Sequence, residues 1–466
     1  MLIAFVGDMG VLFHRHKGWD FIKKLEGYGS VARVQGTFGS RVLFVFDPVA
    51  LQHIVAKDGI QYESPDYMLA SNNIIFGPGL LSVCGAQHRR QRKMLNPAFS
   101  ADNLQKMTPM FYQLSHKLRQ TLSELVDNTS REVDIIHWMG RAALEYVALG
   151  GMGHSFDSLL PHTPGPVIGK AIKNLVYVLS YFLLQLWVLI WETYSAYSPL
   201  VYALTLLRMT SSYLRRLGPP QLRRKLANVL AVVVPDARLG KLRDVVNTMD
   251  DASRMVFNER QAALEKAPDG AMEGIMGGND ILSLLLKAHA NSTPENGFTD
   301  QELIAQMTTL IFAGTDTTSN ALGRVLQALS EHSKVQTKLR EELANARDYP
   351  GQDIPYDRLM ELPLLDAICR ETLRVYSPVN VIPRVTTTDV AMPLQKPVRG
   401  VDGRMMSELP VPKGTLILPC FLSCNTAKEI WGKDAEEWKP ERWLSPLPGS
   451  VAEARIPGVY SNLCAS

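Results

Sequence analysis

The stretch Thr299 to Leu329, TDQELIAQMTTLIFAGTDTTSNALGRVLQAL, decides the reading of the fold. It opens on Thr299-Asp300-Gln301-Glu302, the pattern of a capping box, with Thr299 as N-cap and Glu302 at the third helical position. Leu303, Met307, Leu310, Ile311, Leu322, Val325 and Leu329 then recur at helical spacing. The spacing predicts a helix of about 30 residues, roughly 45 Å long, enough to cross a whole domain. In its middle, Ala313-Gly314-Thr315-Asp316-Thr317-Thr318-Ser319 groups residue types that form helix interiors poorly. Two readings stand at this point. One is a kinked polar patch turned toward solvent. The other is a loosened turn beside a bound group, with Gly314 allowing close approach, Thr317 supplying a hydroxyl and Asp316 a proton route.

Working outward, Val31 to Phe46 holds two β-branched runs around Gly36 and Gly39, a hairpin signal. Asp47-Pro48 supplies an N-cap and a helix-compatible first position for a short helix over Val49 to Lys57. Helical spacing returns from about Asn103 to Val126 and from Val133 to Leu149. A second strand-like area, rich in Val, Thr and Pro, runs from Val379 to about Leu418. The expected class is mainly α with a small β part. No repeat or linker divides the chain, so residues 1–466 are expected to form a single domain. Ala267 to Asp280, with Pro268 and four glycines, is the loosest stretch.

Composition excludes several classes. Hydrophobic residues make up 46% and charged residues 20% of the 466, enough for a sizeable core and too apolar for a disordered chain. Forty-nine Lys and Arg against 46 Asp and Glu leave +3, which excludes nucleic acid as the main partner. Five scattered cysteines are too few for a disulfide scaffold and fit an intracellular protein. The ten histidines show no H-E-x-x-H or C-x₂-C framework, so no zinc site is expected. The N-terminal apolar run breaks at Asp8 and Gly10, reading neither as a membrane span nor as a signal peptide. Leu175 to Trp191 is the most apolar window, and its 17 residues sit at the lower edge of a membrane span. It reads as a spanning helix, a buried core helix or a helix dipping into one leaflet. With Leu200 to Leu207, contact with a membrane surface from one side is the expectation.

Two further constellations stand out. Glu371 and Arg374 lie three apart on a helix from about Leu364 to Tyr376, ended by Pro378. Taken alone, such a pair is a solvated surface pair stabilising by under about 1 kcal/mol. Pro440-Glu441-Arg442-Trp443 places another Arg beside Trp438 and Trp443, where a guanidinium can complete a buried network.

In this order, AGTDTT at 313–318, ETLR at 371–374 and PERW at 440–443 resemble the cytochrome P-450 haem-thiolate monooxygenases. The resemblance runs from the Val31–Phe46 hairpin to Trp443, and HRRQRKMLNPAFS at 88–100 and WGKDAEEWKPERW at 431–443 look nearest to fungal membrane-bound members. It implies a cytochrome P-450-like fold with haem as cofactor, and oxidation of an apolar small molecule with dioxygen. It also implies electrons from an NADPH-dependent reductase, and a place at the cytoplasmic face of the endoplasmic reticulum membrane. Asp316 and Thr317 match the family's acid–alcohol pair that delivers protons to dioxygen. Glu371 and Arg374, with an Arg such as Arg442, match its buried structural network. Arg92 and Arg384 match the arginines that pair with the haem propionates, and His88 stands where many members have a Trp donor. Arg89, Arg90 and Lys93 are left as surface charge, a face able to meet an acidic electron donor. Ile74, Ile75, Ile311 and Ile382 are expected to line the substrate pocket.

In this family the iron takes a cysteine thiolate from a loop of pattern F-x-x-G-x-R-x-C-x-G beyond the PERW-like motif. Here PERW is followed by LSPLPGSVAEARIPGVYSNL and then Cys464-Ala465-Ser466, and the pattern does not occur. Cys84, Cys369, Cys420 and Cys424 read as small buried hydrophobes. Cys464 lacks Gly and Arg neighbours and is not the expected ligand, so no metal ligand is assigned. The expectation is a chain lacking the haem-cysteine loop, the helix after it and the N-terminal anchor, which binds haem weakly or not at all and does not turn over. The rival readings are a non-catalytic relic or membrane-associated binding protein, an integral membrane helical protein, and an incomplete gene model.

Overall fold

The computed structural model describes residues 7–14, 16–36, 39–57, 60–126, 132–175, 237–265, 278–290, 297–349, 351–399 and 402–458, with isolated positions at 225, 228 and 229. Its main helices, in chain order, are α1 (Gly18–Glu26), α2 (Pro48–Gln52), α3 (Asp66–Phe76), α4 (Gly85–Leu95), α5 (Ala101–Leu125), α6 (Ile135–Met152), α7 (167–175), α8 (Ala237–Glu265), α9 (Ile281–Ala290), α10 (Asp300–Glu331), α11 (Ser333–Asn345) and α12 (Pro363–Val375). The strands are β1 (Val31–Gln35), β2 (Arg41–Val45), β3 (Tyr62–Glu63), β4 (Arg384–Thr386), β5 (Val390–Arg399), β6 (Met405–Val411) and β7 (Leu416–Pro419).

The sequence hairpin forms: β1 and β2 pair antiparallel, with Val31 opposite Val45 and Gln35 opposite Arg41. Asp47 then caps α2 as expected, its side chain accepting from the N–H groups of Val49 and Ala50. The helix differs in its second half, where His53–Lys57 widens to a π-helical turn. The Val379–Leu418 area divides between two sheets. β4 and β7 join the N-terminal hairpin in the order β1-β2-β7-β4-β3, with β2 and β7 parallel, while β5 and β6 form a separate two-stranded hairpin. Strands more than 300 residues apart thus close one sheet, at register Val42–Leu416 to Val45–Pro419.

α10 matches its sequence reading. It has 32 residues, and the reciprocal Thr299–Glu302 capping box is made. Its first half is almost wholly buried, with Leu303, Met307 and Ile311 packing against Leu144, Ala148 and Met152 of α6, Val256 and Phe257 of α8, and Phe76 of α3. The polar run does not break the helix. Thr317 and Ser319 turn their hydroxyls back onto the carbonyls of Ala313 and Asp316, so the side chains satisfy themselves locally without unwinding a turn. Ile75 and Ile311, expected to line a pocket, are packed into the same core at 6% and 0% exposure, whereas Ile74 and Ile382 are only partly buried.

Among the described residues no helix is long and apolar enough to cross a membrane. Except for Leu175, the Leu175–Trp191 window lies outside them, as do Leu200–Leu207, most of Ala267–Asp280 and Cys464.

Candidate active site

The middle of α10 touches two different surroundings. Gly314 lies so close to α6 that a Cβ there would come within 2.6 Å of Val147 Cγ2, so the glycine permits helix–helix contact. Thr317 donates to Ala313 O at 2.7 Å. Asp316 accepts from Asn320 Nδ2 at 3.2 Å and lines a cleft of about 40 Å³ between α6, α7 and α10. Burial pushes its carboxyl above the usual carboxylate range, against the pull of the Lys173 ammonium on α7. No hydrogen bond joins Asp316 to Thr317, because successive helical residues point roughly 100° apart. The sequence reading left Lys173 out, since nothing in its spacing relates α7 to α10.

The basic cluster forms. His88 and Arg92 are one turn apart on α4, and Arg384 begins β4. Burial, then the charges of Arg92, Arg384 and Arg89, hold the His88 imidazole below its ordinary value and so neutral. Burial also lowers Arg384, whose Nη1 donates to Pro383 O at 3.0 Å. No carboxylate is ion-paired with His88, Arg92 or Arg384 among the described residues. Arg90 departs from the expected surface charge. It turns the other way, pairing with Glu302 and donating to Gly297 O. Glu302 also accepts from Gln87 Nε2 at 3.1 Å and Gln91 Nε2 at 3.0 Å, clamping α4 to the start of α10.

Glu371 and Arg374 are wholly buried, which corrects the surface-pair reading that their spacing alone supports. Arg374 donates from Nε to Glu371 Oε2 and from Nη2 to Oε1, both at 2.8 Å, and reaches the carbonyls of Asn425 and Glu437 at 2.7 and 3.1 Å. Glu371 further accepts from Trp443 Nε1 and from Lys439 N, each at 2.9 Å. Arg442 approaches Glu371 Oε1 at 3.5 Å and donates to Asp434 Oδ1 at 3.0 Å. Hydrogen bonds from Arg442 and Lys439 pull Asp434 down to about 2.

Among the described residues no group of His, Cys, Asp and Glu could hold a metal. Cys420 and Cys424 are buried as expected, while Cys84, at the start of α4, and Cys369, inside α12, are only partly so. Burial pushes the Cys420 thiol up to about 11 and raises Cys369, so both stay protonated. A larger groove of about 490 Å³ between α5, α6 and α10 is lined by Leu118, Leu122, Met139, Leu322 and Val325 and contains none of the site residues.

The cytochrome P450 family model matches residues 2–448. Cytochrome P450 monooxygenase 91 of Postia placenta is 41% identical over 458 residues, covering 98% of this chain and 79% of the relative. The ganoderic acid synthetase CYP5150L8 of Ganoderma lucidum is 39% identical over 465 residues, with 98% and 80% covered. The chain belongs to the cytochrome P450 family. A cyanobacterial CYP120A1 structure with bound retinoic acid shares the fold at a TM-score of 0.65 and 19% identity, covering 98% of this chain and 85% of that one. Membership makes this cytochrome P450 a monooxygenase-class oxidoreductase whose cofactor is haem, and whose class uses an organic substrate, dioxygen and a redox partner. The residues present fit one side of that group. His88, Arg92 and Arg384 gather positive charge and a neutral donor with no carboxylate of their own, the chemistry that receives a doubly anionic edge. Cys369 and Cys420 do not offer the iron a ready thiolate, since burial holds both thiols protonated.

Proposed function

We propose that this cytochrome P450 carries out haem-dependent oxidation of an apolar small molecule, taking electrons from an NADPH-dependent reductase at the cytoplasmic surface of the endoplasmic reticulum membrane. The observation that carries this reading is that the charges of Arg92 and Arg384 both bear on a half-buried His88 while no carboxylate among the described residues is paired with any of the three, which leaves a basic cluster open to an anion. When bound, haem supplies the oxidising chemistry with dioxygen. This chain's residues do the rest. Arg92 and Arg384 neutralise the anionic edge and His88 donates a hydrogen bond to it. The Thr317 hydroxyl and the Asp316 carboxyl hold and pass protons. The apolar faces of α10 keep water from the substrate. Glu371, Arg374 and Arg442 hold the 425–443 segment against α12, a positioning role.

The 466 residues contain no F-x-x-G-x-R-x-C-x-G pattern, and Cys369 and Cys420 are protonated thiols. These 466 residues are therefore proposed to hold haem through its anionic edge, without a thiolate from Cys369 or Cys420. The test is a haem titration of the full chain followed by its reduced, carbon-monoxide-treated spectrum. Binding that weakens in Arg92→Ala and Arg384→Ala, without a thiolate-type Soret band, is the expected result. Equal binding in both variants would remove the cluster's role, and a thiolate-type band would overturn the proposal on ligation.

A further inference from the structure

α4 carries two of the three members of the basic cluster, yet little apolar packing fixes how this helix is turned. Its buried side chains are Gln91 and, at its last position, Leu95, with Met94 partly covered. What opposes a roll about its axis is polar. Gln91 and Gln306 of α10 are 0% and 1% exposed. Gln306 Nε2 donates to Gln91 Oε1 at 2.8 Å, and Gln306 Oε1 accepts from Leu80 N at 3.2 Å. Gln91 Nε2 in turn donates to Pro78 O and to Glu302 Oε1, both at 3.0 Å. One buried amide pair thus ties α4 to α10 and to the 77–82 loop that leads into α4. That loop lies directly on α10, since a Cβ on Gly79 would come within 2.9 Å of Ala305 O and of Thr309 Oγ1.

Two buried primary amides stabilise a fold little more than two apolar side chains of similar shape. What a fully bonded buried network adds is direction, because its groups are satisfied in one register and left unpaired in any other. At about 100° per residue, Gln87, Arg90 and Gln91 share one face of α4, and His88 and Arg92 share the neighbouring face. Fixing the first face therefore aims the second. The charges that act on the His88 ring come from Arg92 and Arg89 of its own helix and from Arg384 of β4. Arg90 is not among them, since it is turned to Glu302 on the first face.

We propose that the Gln91–Gln306 pair, with Arg90 and Glu302, forms a positioning device that sets the rotation of α4 and so aims His88 and Arg92 toward Arg384. None of the four touches the anion-receiving side chains; they act through the helix. The inference rests on the haem-edge role proposed for His88, Arg92 and Arg384, and names the residues that put two of them in place.

The test combines Gln91→Met and Gln306→Met in the full chain, which keeps side-chain volume while removing the hydrogen bonds of both amides. The His88 midpoint, followed by its imidazole resonances without haem, should rise toward 6.5 as burial and the guanidinium charges fall away. Haem should bind about tenfold more weakly, the scale seen when the partner that orients a ligating side chain is removed. Arg90→Met should shift His88 in the same direction, and Arg90→Lys should restore it, since an ammonium can still pair with Glu302. The Arg90 variants carry the test if the double variant does not fold. An unmoved His88 midpoint in a folded double variant would overturn the inference, and so would equal shifts in the two Arg90 variants. Unchanged haem affinity in the double variant, in a chain whose binding Arg92→Ala does weaken, would overturn it as well. The haem-edge reading fails separately: haem binding indifferent to Arg92→Ala and Arg384→Ala would end it, while the His88 midpoint, read without haem, still decides the positioning.

Discussion

Glu371 grips Arg374 with both carboxylate oxygens, at 2.8 Å each, in a site where neither side chain has any solvent exposure. The guanidinium also sits 4.9 Å from the Trp431 ring centroid and donates to carbonyls of the 425–437 segment. Removing one partner leaves a buried charge without its counterpart, which costs about 3–5 kcal/mol. Arg374→Ala is expected to lose that much in chemical denaturation. Arg374→Lys should lose nearly as much, since an ammonium cannot reproduce the two-pronged contact. A loss under about 1 kcal/mol in either variant would show that the pair behaves as a surface one.

Asp47 joins three elements at 1% exposure. It caps α2 through Val49 N and Ala50 N, takes Ser30 Oγ, and receives Gln395 N of β5, all at 3.1 Å. Asp47→Ala should cost about 2 kcal/mol, combining a lost cap with an orphaned strand N–H. Asp47→Asn should cost less, because the amide oxygen can still cap α2. Thermal unfolding of the two variants checks the order.

The start of α10 carries a pH dependence. Burial alone would raise the Glu302 carboxyl, but hydrogen bonds from Thr299 N, Gln87 and Gln91 and the charge of Arg90 outweigh it and leave the value lowered from 4.5. A lowered folded value means that the unfolded chain binds the proton first on acidification. The stabilisation is thus complete above 4.5 and is lost as the pH falls through the folded value. Glu302→Gln should flatten the acid limb of the stability-versus-pH curve, while Thr299→Ala should lower the whole curve by about 1 kcal/mol. A Glu302→Gln curve with the wild-type acid slope would show that another carboxylate is responsible.

These residues also mark how far the sequence could be read. The Thr299–Glu302 box and the Asp47 cap were legible because their partners lie within three residues, where backbone geometry alone fixes the contact. The burial of Glu371 and Arg374 was not legible from their spacing, since it depends on Trp431, Lys439 and Trp443, folded back from about 60 to 70 residues away. It came from the family resemblance. Arg90 was misread as surface charge for the same reason: its partner Glu302 lies 212 residues on. The polar run of α10 looked like a break because propensity counts Thr and Ser as poor helix formers, whereas here their hydroxyls close onto the preceding turn. Lys173 was invisible, because no local pattern sets α7 across a cleft from Asp316.

His88 reports on the basic cluster. Burial is the first cause of its lowered value, and Arg92, Arg384 and Arg89 follow. With the folded value below 6.5, the unfolded chain takes up the proton first, so this group contributes stability above 6.5 that falls away on acidification toward the folded value. Arg92→Gln removes the guanidinium that acts most strongly on His88 and should raise the His88 value, narrowing that acid-sensitive window. An anion seated among Arg92 and Arg384 should raise it further by cancelling both charges at once. Imidazole resonances of the full chain, followed by NMR against pH with and without haem and assigned by their loss in His88→Gln, check both shifts. If Arg92→Gln left the His88 titration where it was, the arginine would not face the imidazole, and the proposed cluster would lose one of its three members.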